Sequence, residues 1–168
     1  LSQINDAPPV LSVRGDITIL SQAGIGMVGA RNASANGQRL AETIARDLAE
    51  SDIAIVSGLA RGIDTAAHNG ALAANGKTIA VMAGGVDVVY PPENEALLHR
   101  IAQTGAVVSE MPPRLKPLAR HFPRRNRIVS GLSLGVVVVE AAQRSGSLIT
   151  ARMAGEQGRD VLAVPGSP

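Results

Sequence analysis

The chain has 168 residues, of which 45% are apolar and 1% aromatic, so we expect one globular domain with an aliphatic core. The formal net charge is only +2, so functional basicity must be local rather than global. The absence of cysteine excludes a disulfide framework and a thiolate metal site. No apolar run approaches the roughly 20 residues of a membrane span, and no signal peptide is visible, so we expect a cytoplasmic protein that does not contact a membrane.

Residues 1–22, which include Pro8-Pro9 and Gly15-Asp16, are expected to form a lead-in arm packed on a core of residues 23–168. Short runs of β-branched or aliphatic residues follow, each apolar without alternation, which is typical of strands buried on both faces. The predicted strands are Ile25–Val28, Ile53–Val56, Thr78–Met82, Ala106–Val108, Val136–Val139 and Val161–Val164.

Helical segments separate these strands, and residues with terminal preferences mark where they begin and end. The predicted helices are Ser34–Glu50, Asp64–Asn75, Asn94–Gln103, about Pro123–Leu132 and Ser147–Gln157. The predicted N-caps are Ser34, Asp64, Asn94 and Ser147, with Pro123 at a first helical position and stops at Gly76, Gly105 and Gly158. This alternation predicts an α/β fold. We expect a doubly wound, mostly parallel sheet of six or more strands, extended Rossmann-like, with helices on both faces.

Glycines and small polar residues follow most of the predicted strands. In a parallel sheet such turns gather beyond the carboxyl ends of the strands, where ligands bind near the point at which the strand order reverses. Their free N–H groups and arginines predict an anion-binding edge. The turns are Gly29-Ala30-Arg31-Asn32, Ser57-Gly58-Leu59-Ala60-Arg61-Gly62, Gly84-Gly85, and Glu140 followed by Arg144-Ser145-Gly146-Ser147.

Two phosphate-binding patterns occur in the wrong context. The run Gly24-Ile25-Gly26-Met27-Val28-Gly29 matches a dinucleotide motif, but its apolar residues are themselves a predicted strand. The tripeptide Gly76-Lys77-Thr78 resembles the end of a Walker A loop, but it precedes a strand instead of following one. We therefore expect neither NAD binding nor ATP hydrolysis, and no cofactor or metal.

The segment from Met111 to Val139 contains no Asp or Glu, but it is rich in arginine and holds the only phenylalanine of the chain. Guanidinium groups beside one aromatic ring are typical of a surface that holds phosphates and stacks a base. Arginines in the first turn of a helix also oppose its dipole, an effect that a bound anion would reverse. The alternatives are a solvated basic loop and, for Phe122, a hydrophobic staple before the helix. The segment's charged and aromatic residues are Arg114, Lys116, Arg120, His121, Phe122, Arg124, Arg125 and Arg127.

Several other positions are open to two interpretations. Arg31 can clamp a phosphate or pair with a nearby acid, and we favour the phosphate. The turn at Ser145–Ser147 can receive a phosphate or only cap its helix. For Asp64 and His68 a structural hydrogen bond is favoured over a catalytic dyad. For Glu140 the orientation of neighbouring arginines is favoured over a general base.

Eight short motifs follow one another over nearly the whole chain. They are Gly29-Ala30-Arg31, Ser57–His68, Gly84–Pro91, Ser109-Glu110, Phe122–Ile128, Val139-Glu140-Ala141, Ser145–Leu148 and Val164–Ser167. In this order they resemble the DprA/Smf family, the bacterial DNA-processing proteins of natural transformation.

The resemblance implies a homodimeric protein that binds single-stranded DNA without sequence preference, protects it and helps to load the RecA recombinase. It implies no enzymatic activity. The family's DNA pocket uses the arginine of the first motif and the basic-aromatic segment, which we combine with the anion-binding edge. The expected nucleic-acid-binding residues are Gly29, Arg31, Ser57, Gly58, Arg61, Arg120, His121, Phe122, Arg124, Arg125, Asn126, Arg127, Ser145, Gly146 and Ser147. The family's flanking helical and winged-helix modules are expected to be absent from this chain.

An alternative is an enzyme that cleaves nucleotides, such as a phosphoribohydrolase of the LOG-like Rossmann group. That group also has a glycine-rich turn before a helix after its fifth strand. It uses Pro-Gly-Gly-x-Gly-Thr followed by a glutamate, whereas this chain has Arg144-Ser145-Gly146-Ser147. A structural partner-binding domain is the third possibility, and it predicts no nucleotide affinity.

Overall fold

A seven-stranded sheet forms the centre of the protein, in a computed structural model that describes residues 1–143 and 145–165. The strands are β1 (Ser12–Gly15), β2 (Gly24–Gly29), β3 (Ala54–Ser57), β4 (Thr78–Val81), β5 (Ala106–Ser109), β6 (Gly135–Val139) and β7 (Asp160–Ala163). The helices are α1 (Ala35–Glu50), α2 (Ile63–Ala73), α3 (Glu95–Thr104), α4 (His121–Gly131) and α5 (Gly146–Glu156), with short 3-10 helices at Ile17–Ser21 and Pro92–Asn94.

The strand order is β1-β5-β4-β3-β2-β6-β7, and every pair is parallel except β1 with β5. The doubly wound fold is therefore confirmed, and each predicted strand and helix lies within two residues of its observed bounds. The sequence did not predict β1. Its four residues, Ser12–Gly15, mix polar and apolar types on a half-exposed edge, so they lack the continuous apolar run that marks the other strands.

Alternate strand residues pack against helices on opposite faces of the sheet. On one face, Met27 and Ile55 pack in a cluster with buried alanines of α1 and α2, and α3 covers the neighbouring strands. On the other face, Val28 and Val56 pack in a cluster with residues of α4 and α5. Burial on both sides explains why these strands are apolar without alternation. Within residues 1–143 and 145–165 no helix is both long and apolar enough to cross a membrane.

The first residues of the helices show which of the predicted N-caps are correct. The Ser34 side chain accepts from the Gly37 N–H at the start of α1, as predicted. In α5 the cap is Ser145 rather than Ser147, because the chain turns helical one residue earlier than the pattern indicated. In α4 the helix begins at His121, which leaves the proline in its third position rather than its first.

The other two predicted caps make no capping bond, because their side chains bond elsewhere. Asn94 occupies the N-cap position as predicted, whereas the N-cap of α2 is Gly62 and not Asp64. Asp64 lies inside the first turn of α2, and its carboxylate accepts from the N–H groups of Gly58 and Ala60. Asn94 precedes α3, but its amide donates to the Leu59 carbonyl and to Thr65 Oγ1. Both side chains therefore hold the loop between β3 and α2 instead of capping a helix.

His68 lies on α2, and its side chain is fully buried where that helix packs against β4. Its Nδ1 lies 2.7 Å from Thr78 Oγ1, and that hydroxyl donates to the Ile55 carbonyl, so the ring must donate to the threonine. Asp64 and His68 thus each make structural hydrogen bonds, as favoured from the sequence, but with other partners and not with each other. Burial, helped by the positive charge of Arg125, lowers the pKa of His68 to about 3.

We predict that His68 makes the protein acid-sensitive. Below pH 6.5 the His68 side chain is protonated in the unfolded chain, but in the folded protein it stays neutral down to about pH 3. The free energy of unfolding therefore decreases by about 1.4 kcal/mol for each unit that the pH is lowered between these values. Urea unfolding from pH 7 to pH 4 should show this loss in the parent chain and not in His68→Gln. The exposed His99→Gln is the matched control and should follow the parent. Parallel pH profiles for the parent and His68→Gln would contradict the prediction.

Candidate nucleic-acid interface

A cleft of about 900 Å³ opens at the carboxyl edge of the sheet, beside the neighbouring strands β2 and β6. The strand order reverses at this point, and the chain passes from β2 to α1 on one face and from β6 to α5 on the other. The loops after these two strands line the cleft together with the first turns of α4 and α5. This is the position where doubly wound sheets bind ligands.

Arg31 and Phe122 meet in this cleft, although they are far apart in sequence. The guanidinium carbon of Arg31 lies 5.4 Å from the centre of the Phe122 ring, in cation–π contact. Arg31 is exposed, and the ion pairs formed among the described residues do not include it. The structure thus brings together the two features that the sequence analysis had singled out.

Tyr90 is a third member of this group and was missed as a site residue. Its ring makes a T-shaped contact with the Phe122 ring, with the ring centres 5.5 Å apart and the planes at 60°. It is half exposed and lines the same cleft. Its rarity was the available signal, because it is the only tyrosine in a chain with one phenylalanine and no tryptophan.

Gly29, at the end of β2, has a packing role. A Cβ at this position would overlap the Val139 carbonyl and would lie 2.5 Å from Cγ1 of Ile63. Its lack of a side chain lets the first turn of α2 approach β2, where the Ile63 N–H donates to the Ala30 carbonyl at 3.2 Å. The loops after β2 and β3 are therefore joined directly.

The turn after β3 is held by buried hydrogen bonds. The Ser57 hydroxyl is fully buried and donates to the Met27 carbonyl at 2.6 Å. The Gly58 N–H donates to the buried Asp64 carboxylate at 3.0 Å. Burial raises the pKa of Asp64, although the nearby Arg125 charge and these N–H groups act in the opposite sense. Arg61 is exposed and pairs with Glu93.

The arginines of α4 differ in their surroundings. Arg127 is buried and pairs with Glu110 at 2.7 Å and with Asp6 at 3.0 Å. Arg124 is exposed and also pairs with Glu110, at 3.0 Å. These carboxylates compensate the positive charge in the first turns of α4, so the opposition to the helix dipole needs no bound anion. The acidic partners of Arg124 and Arg127 therefore lie before Met111, outside the basic segment.

Arg125 is also buried, and it bonds to two main-chain oxygens and, through Nε, to Asn126 Oδ1 at 3.3 Å. Its guanidinium donates to the Gly58 carbonyl at 2.6 Å and to the Val81 carbonyl. Burial lowers the pKa of Arg125 to about 10, and the negative charge of Asp64 opposes that shift.

The remaining residues around α4 have separate positions. His121 is 7% exposed, and its Nδ1 accepts from the Leu118 N–H at 3.2 Å. Arg120 is exposed at the start of the helix. The Asn126 amide lines the cleft and donates to the Gly146 carbonyl at 3.3 Å, which links α4 to α5.

The start of α5 forms the opposite wall of the cleft. Ser145 and Ser147 share a hydroxyl contact of 2.6 Å, and the Ser147 N–H donates to the Ser145 hydroxyl at 3.3 Å. Ser145, Gly146 and Ser147 all line the cleft. Arg144 of this turn lies outside the described residues, as does the end of the last motif at 166–168.

Among the described residues Glu140 bonds to Ser34, and not to an arginine as the sequence had suggested. Its carboxylate accepts from the Ser34 N–H at 2.9 Å and from the Ser34 hydroxyl at 2.7 Å, at the N-terminus of α1. These hydrogen bonds lower the pKa of Glu140. The residue thus ties the loop after β6 to the helix that follows β2.

The expected site residues therefore fall into two groups. Those that line the cleft are Gly29, Arg31, Phe122, Arg125, Asn126, Ser145, Gly146 and Ser147. Those that lie outside its lining are Ser57, Gly58, Arg61, Arg120, His121, Arg124 and Arg127. In the part of the chain that the structure describes, no cluster of three or more acidic or histidine side chains has the geometry of a metal site.

The fold and the position of the cleft define an extended Rossmann-like α/β protein. A molybdenum cofactor binding protein from Rippkaea orientalis shares this fold with a TM-score of 0.64, at 18% identity, over 87% of this chain and 78% of that one. DNA processing protein A from Streptococcus pneumoniae superposes with a TM-score of 0.95 at 49% identity, over 99% of this chain and 58% of that one.

The family model for DNA recombination-mediator protein A matches residues 1–168, so the chain belongs to this family, also called DprA/Smf. DNA processing protein DprA of Bacillus subtilis is 49% identical over 168 residues, which are 99% of this chain and 57% of that protein. Protein Smf of Escherichia coli is 49% identical over 162 residues, which are 96% of this chain and 43% of that protein. The chain thus spans about half the length of these relatives.

DNA processing protein A from Helicobacter pylori, solved for its single-stranded DNA binding mode, also matches. It superposes with a TM-score of 0.92 at 31% identity, over 98% of this chain and 76% of that one.

We predict that Gly29→Ala destabilises the fold itself and does not act only on ligand binding. The added Cβ meets backbone and a β-branched side chain, which costs about 3 kcal/mol of unfolding free energy. Gly155→Ala in α5 is the matched control, because a Cβ there meets nothing within 4 Å and the change should stabilise by up to about 1 kcal/mol. Thermal unfolding of both variants checks this. Equal melting temperatures would show that Gly29 has no packing role.

Proposed function

We propose that this chain binds single-stranded DNA without sequence preference, as part of DNA processing in natural transformation. The cleft between the loops after β2 and β6 is the proposed site. The observation that carries the proposal is the exposed Arg31 guanidinium against the Phe122 ring. A cation beside an aromatic face suits a nucleotide, because the guanidinium can contact the phosphate while the ring stacks on the base of the same nucleotide.

The charges around the cleft support a polyanionic ligand. Arg31 is exposed, and Arg120 adds a further exposed positive charge at the start of α4. The acid that lines the cleft, Asp64, is buried and accepts two backbone N–H bonds, so it points its charge into the protein. Hydroxyls and N–H groups at Ser145–Ser147 offer further donors to phosphate oxygens.

A relative that binds single-stranded DNA supports the proposal. DNA processing protein A from Helicobacter pylori binds single-stranded DNA and covers 98% of this chain at 31% identity. Sequence independence follows from the chemistry, since stacking on Phe122 and contact with phosphate are available to every nucleotide.

We further propose that the protein acts as a cytoplasmic homodimer that protects single strands and helps to load the RecA recombinase. Apolar surface near the last strand supports self-association: Leu162 on the edge strand β7 is 59% exposed, and so is Leu134 just before β6. An exposed edge strand is also a ready site for pairing with a second chain. Sedimentation of the chain at micromolar concentration, with and without Leu162→Glu, tests the dimer.

Arg31→Gln should weaken binding to labelled oligo-dT by about tenfold or more, because one charged contact to phosphate is lost. The slope of log affinity against log salt should also become shallower by about 0.7, the amount for one contact with a single strand. Fluorescence anisotropy over a series of salt concentrations measures both effects. Arg46→Gln, on the exposed surface of α1 and paired with Asp47, is the matched control and should change neither. Unchanged affinity and slope in Arg31→Gln would refute the proposed site.

Phe122→Leu should weaken binding by about 1–3 kcal/mol, the amount for one stacked base. Phe122→Tyr keeps an aromatic face and should retain most of the affinity. An oligonucleotide with abasic sites separates stacking from packing. The parent chain should bind it less tightly than intact DNA, whereas Phe122→Leu should bind abasic and intact DNA about equally. A variant that still discriminates against abasic DNA would show that the base stacks elsewhere.

Incubation with AMP tests the enzymatic alternative. The proposal expects no free adenine, whereas release of adenine together with no affinity for oligo-dT would favour a nucleotide-cleaving enzyme.

A further inference from the structure

Arg125 joins three parts of the cleft from a buried position. It lies one turn after Phe122 on α4, so the two side chains share a helix face. Its guanidinium binds the Gly58 carbonyl just beyond β3 and the Val81 carbonyl at the end of β4. Arg125 is only 6% exposed, so its guanidinium is bonded by the ends of two strands and not by solvent water.

Asp64 holds the same turn from the other side. Its carboxylate accepts from the Gly58 N–H at 3.0 Å and from the Ala60 N–H at 3.2 Å. Gly58 is therefore bonded through its carbonyl to Arg125 and through its N–H to Asp64. A Cβ on Gly58 would lie 2.5 Å from the nearest guanidinium nitrogen, so this contact requires glycine.

The turn held in this way also supports Arg31. The Ile63 N–H, at the end of the same turn, donates to the Ala30 carbonyl, one residue before Arg31. Phe122 is thus fixed to the turn through α4 and Arg125, and Arg31 is fixed to it through Ala30. The two halves of the cation–π contact share one support.

We infer that Arg125, together with Asp64, is a positioning residue that sets the spacing between Arg31 and Phe122, and that it is not a phosphate contact. The inference rests on the proposed single-stranded DNA site. The inference changes the role of Arg125, a buried residue that lines the cleft, from an expected DNA contact to a support for other residues. A guanidinium suits this position better than an ammonium does, because its Nη1 donates to both carbonyls while its Nε donates to Asn126 Oδ1 at 3.3 Å. A lysine side chain is one bond shorter and carries a single nitrogen.

The salt dependence of oligo-dT binding separates the two roles. Arg125→Met should weaken binding by about tenfold, which is within the range for a lost base stack, and should leave the log–log salt slope unchanged. Arg125→Lys should be about as weak as Arg125→Met, because its side chain is one bond shorter and lacks the Nε donor to Asn126. A phosphate contact predicts the reverse, with the slope reduced by about 0.7 in Arg125→Met and affinity retained in Arg125→Lys. Arg46→Met is the matched control and should bind like the parent.

For Asp64→Asn, a charge role and a positioning role predict opposite changes in the affinity for DNA. Removing an acid beside a phosphate-binding cleft should tighten binding if only charge matters. Positioning predicts weaker binding, because the Gly58 turn loses its charged acceptor. Tighter binding by Asp64→Asn would overturn the inference, and this variant decides the matter if Arg125→Met does not fold.

Tyr90 gives a readout without DNA. It is the only tyrosine of the chain, there is no tryptophan, and its ring lies 5.5 Å from Phe122. The near-ultraviolet circular dichroism of Tyr90 should change in Arg125→Met and Asp64→Asn and stay unchanged in Arg46→Met. Unchanged spectra in both cleft variants would overturn the inference. If the parent chain itself does not bind oligo-dT, the proposed function fails instead, and the Tyr90 spectra still report whether Arg125 positions Phe122.

Discussion

The reversal of strand order between β2 and β6 is the constraint on which the cleft depends. The two strands pair in parallel, but the helices that follow them lie on opposite faces of the sheet. Their connecting loops must therefore diverge, and neither helix covers the space between them. Arg31 lies on one of these loops and Ser145 on the other, so the residues of the proposed site face each other because of the topology.

Carboxylates of the protein itself neutralise two of the helix N-termini along this edge. Glu140 accepts bonds from Ser34 at the start of α1. The Asp64 carboxylate lies in the first turn of α2 and accepts from the N–H groups of Gly58 and Ala60 in the loop before that helix. At α5 the corresponding groups are the neutral hydroxyls of Ser145 and Ser147. A helix N-terminus attracts anions unless a local acid already occupies it. This distribution of charge favours the proposed site near Arg31 and α5 over the rest of the edge.

The fold could be predicted because apolar runs and helix signals are local in sequence, whereas the roles of the arginines could not. Helix periodicity separates the face of Arg125 from that of Arg124, but it does not reveal what lies opposite each face. The partner of Arg125 is a carbonyl 67 residues away, and that of Glu140 is a serine 106 residues away. The edge strand β1 was missed for a related reason, since its pairing with β5 is not encoded in an apolar pattern.

The placement of the two aromatic residues argues for a ligand rather than for stability. Aromatic side chains give the largest apolar contribution when they are fully buried, so a chain with only two would gain most by burying both in the core. The core of this protein is instead built from alanine, valine, isoleucine, leucine and methionine. Tyr90 is 47% exposed and Phe122 only partly buried; the two rings pack against each other at the cleft, where Arg31 lies over Phe122. Folding does not require that arrangement, whereas a planar base carrying a phosphate has a use for both the ring and the cation.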